Sequence, residues 1–163
     1  MVDESTQPLK LFYCYVYADR ALRDELDIYL SVLKHQNLIV CWSDMEISPG
    51  VERENAIDIQ LSAAHLILLL VTPDFLASDY CYGIEMKRAL ERHKAGNARV
   101  IPIILRQTYW KQTPFSTLQV LPTNAKPIAQ WHDRDEAFLN ITSGIHQAIK
   151  ELRAFLKTKE ENG

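Results

Sequence analysis

Apolar positions along this chain follow two alternating rhythms: short continuous runs and longer stretches with helical spacing. Residues 9–15, 38–42, 65–71 and 99–105 are short, dense in aliphatic and aromatic side chains, and predict strands. Residues 126–131 predict a fifth. Between them the period changes. Leu22, Leu26, Leu30 and Leu33 predict a helix over 18–35, with Asp19 as N-cap or first-turn acid. Ile57 and Leu61 mark a second helix over 51–62, and a third opens near Ser78 and stops at Gly96-Asn97. Asp133 caps a last helix whose apolar face is Phe138, Ile141, Ile145, Ile149 and Leu152. Pro102 inside the fourth strand removes a ladder donor, which favours a sheet edge or a bulge. Residues 106–125 read as a long loop with one short helix. Strands that alternate with helices and are apolar throughout imply a mostly parallel sheet covered on both faces. The expected architecture is an α/β, flavodoxin-like three-layer sandwich with five strands and its ligand crevice beside the first strand.

The bulk numbers narrow the class. A chain of 163 residues, 47% hydrophobic and 24% charged, suits one globular domain. Its net charge of −3 argues against a nucleic-acid partner. The longest apolar run, near 66–71, is too short to span a bilayer, and the first residues lack a signal-peptide pattern, so no membrane partner is expected. Three cysteines without a framework spacing suggest a reducing, cytoplasmic setting. Residues 1–8 read as a polar lead-in, 9–156 as the domain, and 157–163 as a fraying tail, possible linker to a sensor domain outside this chain.

The carboxyl ends of three strands bring chemistry to one rim. The first supplies Tyr15, Val16 and Tyr17 with Asp19 beyond, the second Trp42, Ser43 and Asp44, and the third leads into the helix bearing Glu85. Aromatic rings stack on a base, and carboxylates accept hydrogen bonds from ribose hydroxyls. A carboxylate beside an anomeric carbon also stabilises an oxocarbenium-like transition state. Early position in a helix favours an ionised Glu85. Each residue has a plainer reading. Trp42, Tyr15 and Tyr17 can simply pack, Asp44 can form an Asx-turn into the Pro-Gly loop, Asp19 can cap, and Glu85 can belong to a solvated face with Lys87, Arg88 and Glu91. Cys81 precedes a helix but has no histidine close in sequence. No dinucleotide fingerprint, phosphate-binding loop or zinc-ligand spacing is present.

Taken together, the motifs resemble the TIR (Toll/interleukin-1 receptor) domain, in its bacterial style. Phe12-Tyr13-Cys14-Tyr15-Val16-Tyr17-Ala18-Asp19 is similar to the family's Phe-Ile-Ser-Tyr-Ser-x-x-Asp box. Trp42-x-Asp44 followed by Ile47-Ser48-Pro49-Gly50 resembles its second box and BB loop. Ser78-Asp79-Tyr80-Cys81-Tyr82-Gly83-Ile84-Glu85 resembles the Ser-x-Trp-Cys-x-x-Glu box, and Val100 to Leu105 with Trp110 resembles the fourth strand and its sequel. The resemblance spans about residues 9–155.

For many members the resemblance implies cleavage of NAD+ to nicotinamide and ADP-ribose or a cyclic isomer, with NAD+ as substrate and neither cofactor nor metal. By position, Glu85 becomes the catalytic glutamate and Tyr15, Tyr17, Asp19, Trp42, Asp44 and Tyr80 become substrate contacts. Other TIR domains become the expected partners, in a homo-oligomer or filament that switches activity on in bacterial signalling or antiviral defence. Ile47, Pro49 and Gly50 belong to the assembly loop at 43–53. Two departures stand out. Cys14 and Val16 replace the first box's serines, and Cys81 stands where a tryptophan is usual, with Tyr80 before it. They keep open a non-catalytic adaptor or host-signalling mimic acting by TIR–TIR contact; a nucleoside-processing enzyme of related fold is a third reading.

Overall fold

The computed structural model describes residues 7–162; residues 1–6 of the lead-in and Gly163 of the tail lie outside them. Four parallel strands, β1 (Leu9–Cys14), β2 (Ile39–Cys41), β3 (Leu66–Val71) and β4 (Arg99–Ile104), lie in the order β2-β1-β3-β4. The helices are α1 (Arg20–Tyr29), α2 (Ser31–His35), α3 (Arg53–Ala63), α4 (Pro73–Ala77), α5 (Met86–Lys94) and α6 (Arg134–Asn162).

Strand alternation divides the core into two apolar layers. Leu9, Leu11 and Tyr13 of β1 and Leu66, Leu68 and Leu70 of β3 face Leu26 of α1 and Ile141, Ile145 and Ile149 of α6. Phe12, Cys14, Ile67, Leu69 and Val71 face the other way, onto Ile57 and Leu61 of α3 and Met86 and Ala89 of α5. The chain leaves β1 towards β2 on one side and returns past it to β3 on the other. Strand order therefore reverses beside β1, which opens a crevice at the carboxyl ends.

The sheet has four strands where the apolar pattern suggests five. Residues 126–131 form a single turn, Ile128–Gln130, because Pro127 has no donor and the Trp131 indole closes back on the Lys126 carbonyl at 2.9 Å. A lone bridge from Leu121 to Ile103 covers the outer edge of β4 instead. Pro102 does sit on that edge. Val100 and Ile104 send their N–H groups outward, to His93 Nδ1 (3.0 Å) and the Leu121 carbonyl (2.8 Å), so Pro102 between them faces away from β3 and costs no ladder bond.

Other expectations shift by local chemistry. The helix expected over 18–35 is broken at Leu30 into α1 and α2. Residues 106–125 carry three single turns in place of one short helix. Gly96 ends α5 at φ +77, with Asn97 N–H reaching the Arg92 carbonyl and Gly96 N–H that of His93. Asp133 accepts from Asp135 N–H at 2.9 Å and caps α6. The tail expected to fray is helical as far as Asn162, since its lysines and glutamates are good helix formers even without a core to pack on. Among the described residues no helix is long and apolar enough to cross a membrane.

Candidate active site

The helix expected near Ser78 arrives in three pieces. Thr72 caps α4 by accepting from Phe75 N–H at 3.0 Å, and Ser78 accepts from Cys81 N–H at 3.0 Å to open the next turn. That turn, Cys81–Glu85, is widened by one residue: Ile84 and Glu85 N–H both reach the Tyr80 carbonyl at 3.0 Å. Such widened turns recur at functional sites. Here it turns Cys81 and Glu85 inward together, at 6% exposure each.

Glu85 lines a cleft of about 250 Å³ at the carboxyl end of β1, with Tyr15, Tyr17, Trp42, Asp44 and Tyr80. Tyr15 hydroxyl donates to Asp44 Oδ1 at 3.2 Å, and Arg53 Nη2 donates to Asp44 Oδ2 at 2.5 Å. Burial pushes the Asp44 carboxyl up, but the Arg53 hydrogen bond and charge outweigh it and hold it below the usual range. Trp42 stacks on Phe12, centroids 6.1 Å apart and planes 8° from parallel, which fixes one wall. Tyr17 stands at the mouth, 74% exposed, with Arg20 5.7 Å over its ring.

Asp19 is placed elsewhere. Its buried carboxylate accepts a hydrogen bond from the Thr72 hydroxyl, tying the start of α1 to the end of β3, and it makes no side-chain cap. Ile47 lies in an adjoining recess against α3, while Pro49 and Gly50 are exposed at the tip of a turn closed by Val51 N–H on the Ser48 carbonyl, 3.2 Å, with Gly50 at φ +87.

Glu85 is not the ionised first-turn acid that helix position suggests. Burial, then the neighbouring Cys81 sulfur, push its carboxyl up to about 9. Hydrogen bonds from Cys14 first, and from Ser78 and Glu85, draw the Cys81 thiol down to about 6 against the opposing effect of burial. Cys81 and Glu85 thus hold one negative charge between them at neutral pH. Cys81 Sγ also lies 3.3 Å from the Tyr15 carbonyl, an acceptor for the thiol proton when the carboxyl carries the charge. Sequence alone gave no sign that Arg23, within the first helical stretch, and Arg53, at the end of the 43–53 loop, reach this cleft.

A profile of the TIR domain matches residues 11–141. The chain belongs to the TIR family. The fold of this TIR domain is similar to that of the TIR domain of the Toll-related receptor TRR-2 from Hydra magnipapillata, with TM-score 0.61 and 18% identity over 86% of this chain and 97% of the other. Its sequence is similar to an uncharacterised protein, y4lF, of Sinorhizobium fredii, 49% identical over 138 residues, which are 85% of this chain and 43% of the relative. The chain thus spans less than half the length of that relative. Family membership explains the order of its three boxes.

Proposed function

We propose that this TIR domain cleaves NAD+ at the nicotinamide–ribose bond, with Glu85 as the catalytic carboxylate. The observation that carries the reading is a carboxyl group 6% exposed within the cleft that Trp42, Tyr15 and Asp44 line. Trp42 offers a wall for a base, Tyr15 and Asp44 offer hydrogen bonds to ribose, and Tyr80 closes the side beside Glu85. As the C1′–N bond breaks, its electron pair leaves on neutral nicotinamide and positive charge develops on the ribosyl group. The Glu85 carboxylate, only 6% exposed, stabilises that charge where solvent screening is weak. The Cys81 sulfur takes the proton when Glu85 must carry the charge, so no proton need leave the cleft. Water captures the ribosyl cation to give ADP-ribose and a proton, or an adenine nitrogen of the same substrate captures it to give a cyclic isomer.

The cleft is smaller than the roughly 300–1,000 Å³ usual for ligand sites. It suits one half of a dinucleotide, which supports completion by a neighbouring TIR domain. Met45 and Val51, 64% and 50% exposed on the 43–53 loop, offer that neighbour apolar contact. The test is concentrated protein with NAD+, with and without a crowding agent, beside Glu85→Ala, following nicotinamide by chromatography. Release that depends on Glu85 is expected. Full activity in Glu85→Ala refutes the role, and no release in the assembled state leaves TIR–TIR contact through that loop as the function.

A further inference from the structure

On the first turns of α1, Leu22 and Leu26 turn into the core and Arg23 lies between them in sequence. A guanidinium at such a place is expected in water. Instead Arg23 is 7% exposed and forms part of the cleft wall, with its carbon Cζ 5.5 Å over the Tyr13 ring and 5.3 Å over the Tyr15 ring. Its Nε is buried with no hydrogen-bond partner. Nη2 pairs with Asp24 Oδ1 at 3.0 Å, but that side chain is 52% exposed and neutralises little. Asp44 feels the Arg23 charge, yet its two oxygens are already engaged by Arg53 and Tyr15. Arg23 is therefore a buried cation with a donor that no protein group satisfies, a costly arrangement.

We infer that Arg23 is the anion seat of this cleft and binds a phosphate group of the substrate, which for the dinucleotide proposed above is one of the two pyrophosphate phosphates. The planar fork matches phosphate oxygens, and the aromatic rings beneath hold it in orientation without neutralising it. Arg53, opposite, is committed to Asp44 and is 61% exposed, so it is the weaker candidate. Arg23 would thus be a positioning residue: it fixes the phosphate end while Glu85 meets the ribose.

The inference rests on the NAD+ reading for its substrate but not for its chemistry, and the two are tested apart. In the first arm inorganic pyrophosphate is titrated calorimetrically into the intact protein, Arg23→Met and Arg23→Lys. Saturable binding by the parent, lost in Arg23→Met and partly kept in Arg23→Lys, is expected; no binding by the parent, or equal binding by Arg23→Met, overturns the assignment whether or not NAD+ is cleaved. In the second arm, given nicotinamide release, Arg23→Met raises KM for NAD+ by about 10- to 100-fold, the scale of one charged hydrogen bond, with kcat nearly unchanged. A fall in kcat at constant KM, alongside a lowered melting temperature, marks a merely structural role and overturns it. If the parent binds pyrophosphate through Arg23 but releases no nicotinamide, the seat stands and the NAD+ reading falls.

Discussion

Replacing Glu85 with glutamine keeps the shape of the buried side chain and removes its charge, so its effect on stability should depend on pH in a calculable way. Burial, with the neighbouring Cys81 sulfur, raises the carboxyl from 4.5 to about 9. Alone, that shift would cost about 6 kcal/mol once the group is forced to ionise, at about 1.4 kcal/mol for each pH unit. At pH 7 only about 3 kcal/mol of that cost has developed, and Cys81, lowered from 9.0 to about 6, takes up the charge first and offsets about 1 kcal/mol of it. A net penalty of about 2 kcal/mol remains for the parent at neutral pH. The sign follows from the raised carboxyl: its stabilising contribution is complete below pH 4.5 and is lost as pH rises through about 6, where the pair takes up its first charge. Glu85→Gln should therefore gain on the parent by at least about 2 kcal/mol between pH 4.5 and pH 7, while releasing no nicotinamide. Urea unfolding of both proteins at pH 4.5, 5.5 and 7, under reductant, reads the difference. A difference flat with pH, or a parent that gains on the variant as pH rises, refutes the buried charge-sharing pair.

Asp44→Asn should free Arg53 and weaken the Tyr15 acceptor, raising KM for NAD+ by about tenfold, while costing under about 1 kcal/mol of stability because Arg53 is largely exposed; steady-state kinetics and a melting curve check both. Gly144→Ala on α6 would set a new methyl 2.6 Å and 2.8 Å from the Leu121 side-chain carbons, and should destabilise by about 1–3 kcal/mol despite the helix propensity gained. A melting temperature equal to or above the parent's would show that Leu121 yields freely.

What the sequence determined by itself was whatever depends on local chemistry and spacing. Runs of apolar residues gave the parallel sheet, Gly96 and Asp133 gave helix ends, Pro102 gave the edge strand, and the three boxes gave the family. Adjacent rim residues such as Tyr15, Trp42 and Asp44 share the cleft because strand ends in a parallel sheet necessarily face the same way. Tertiary structure alone decided the rest. The segment at 126–131 is apolar enough for a strand, but its proline and the Leu121 bridge already on β4 leave it no partner to pair with. Asp19 reads as a cap until β3 brings the Thr72 hydroxyl to it across 53 positions. Glu85 reads as ionised because helix position is visible in sequence and burial is not; only the widened turn and the packing of Cys14 and Cys81 reveal what the carboxyl costs. Arg23 is not singled out by the sequence for the same reason, since desolvation belongs to a place in the fold and not to a residue type.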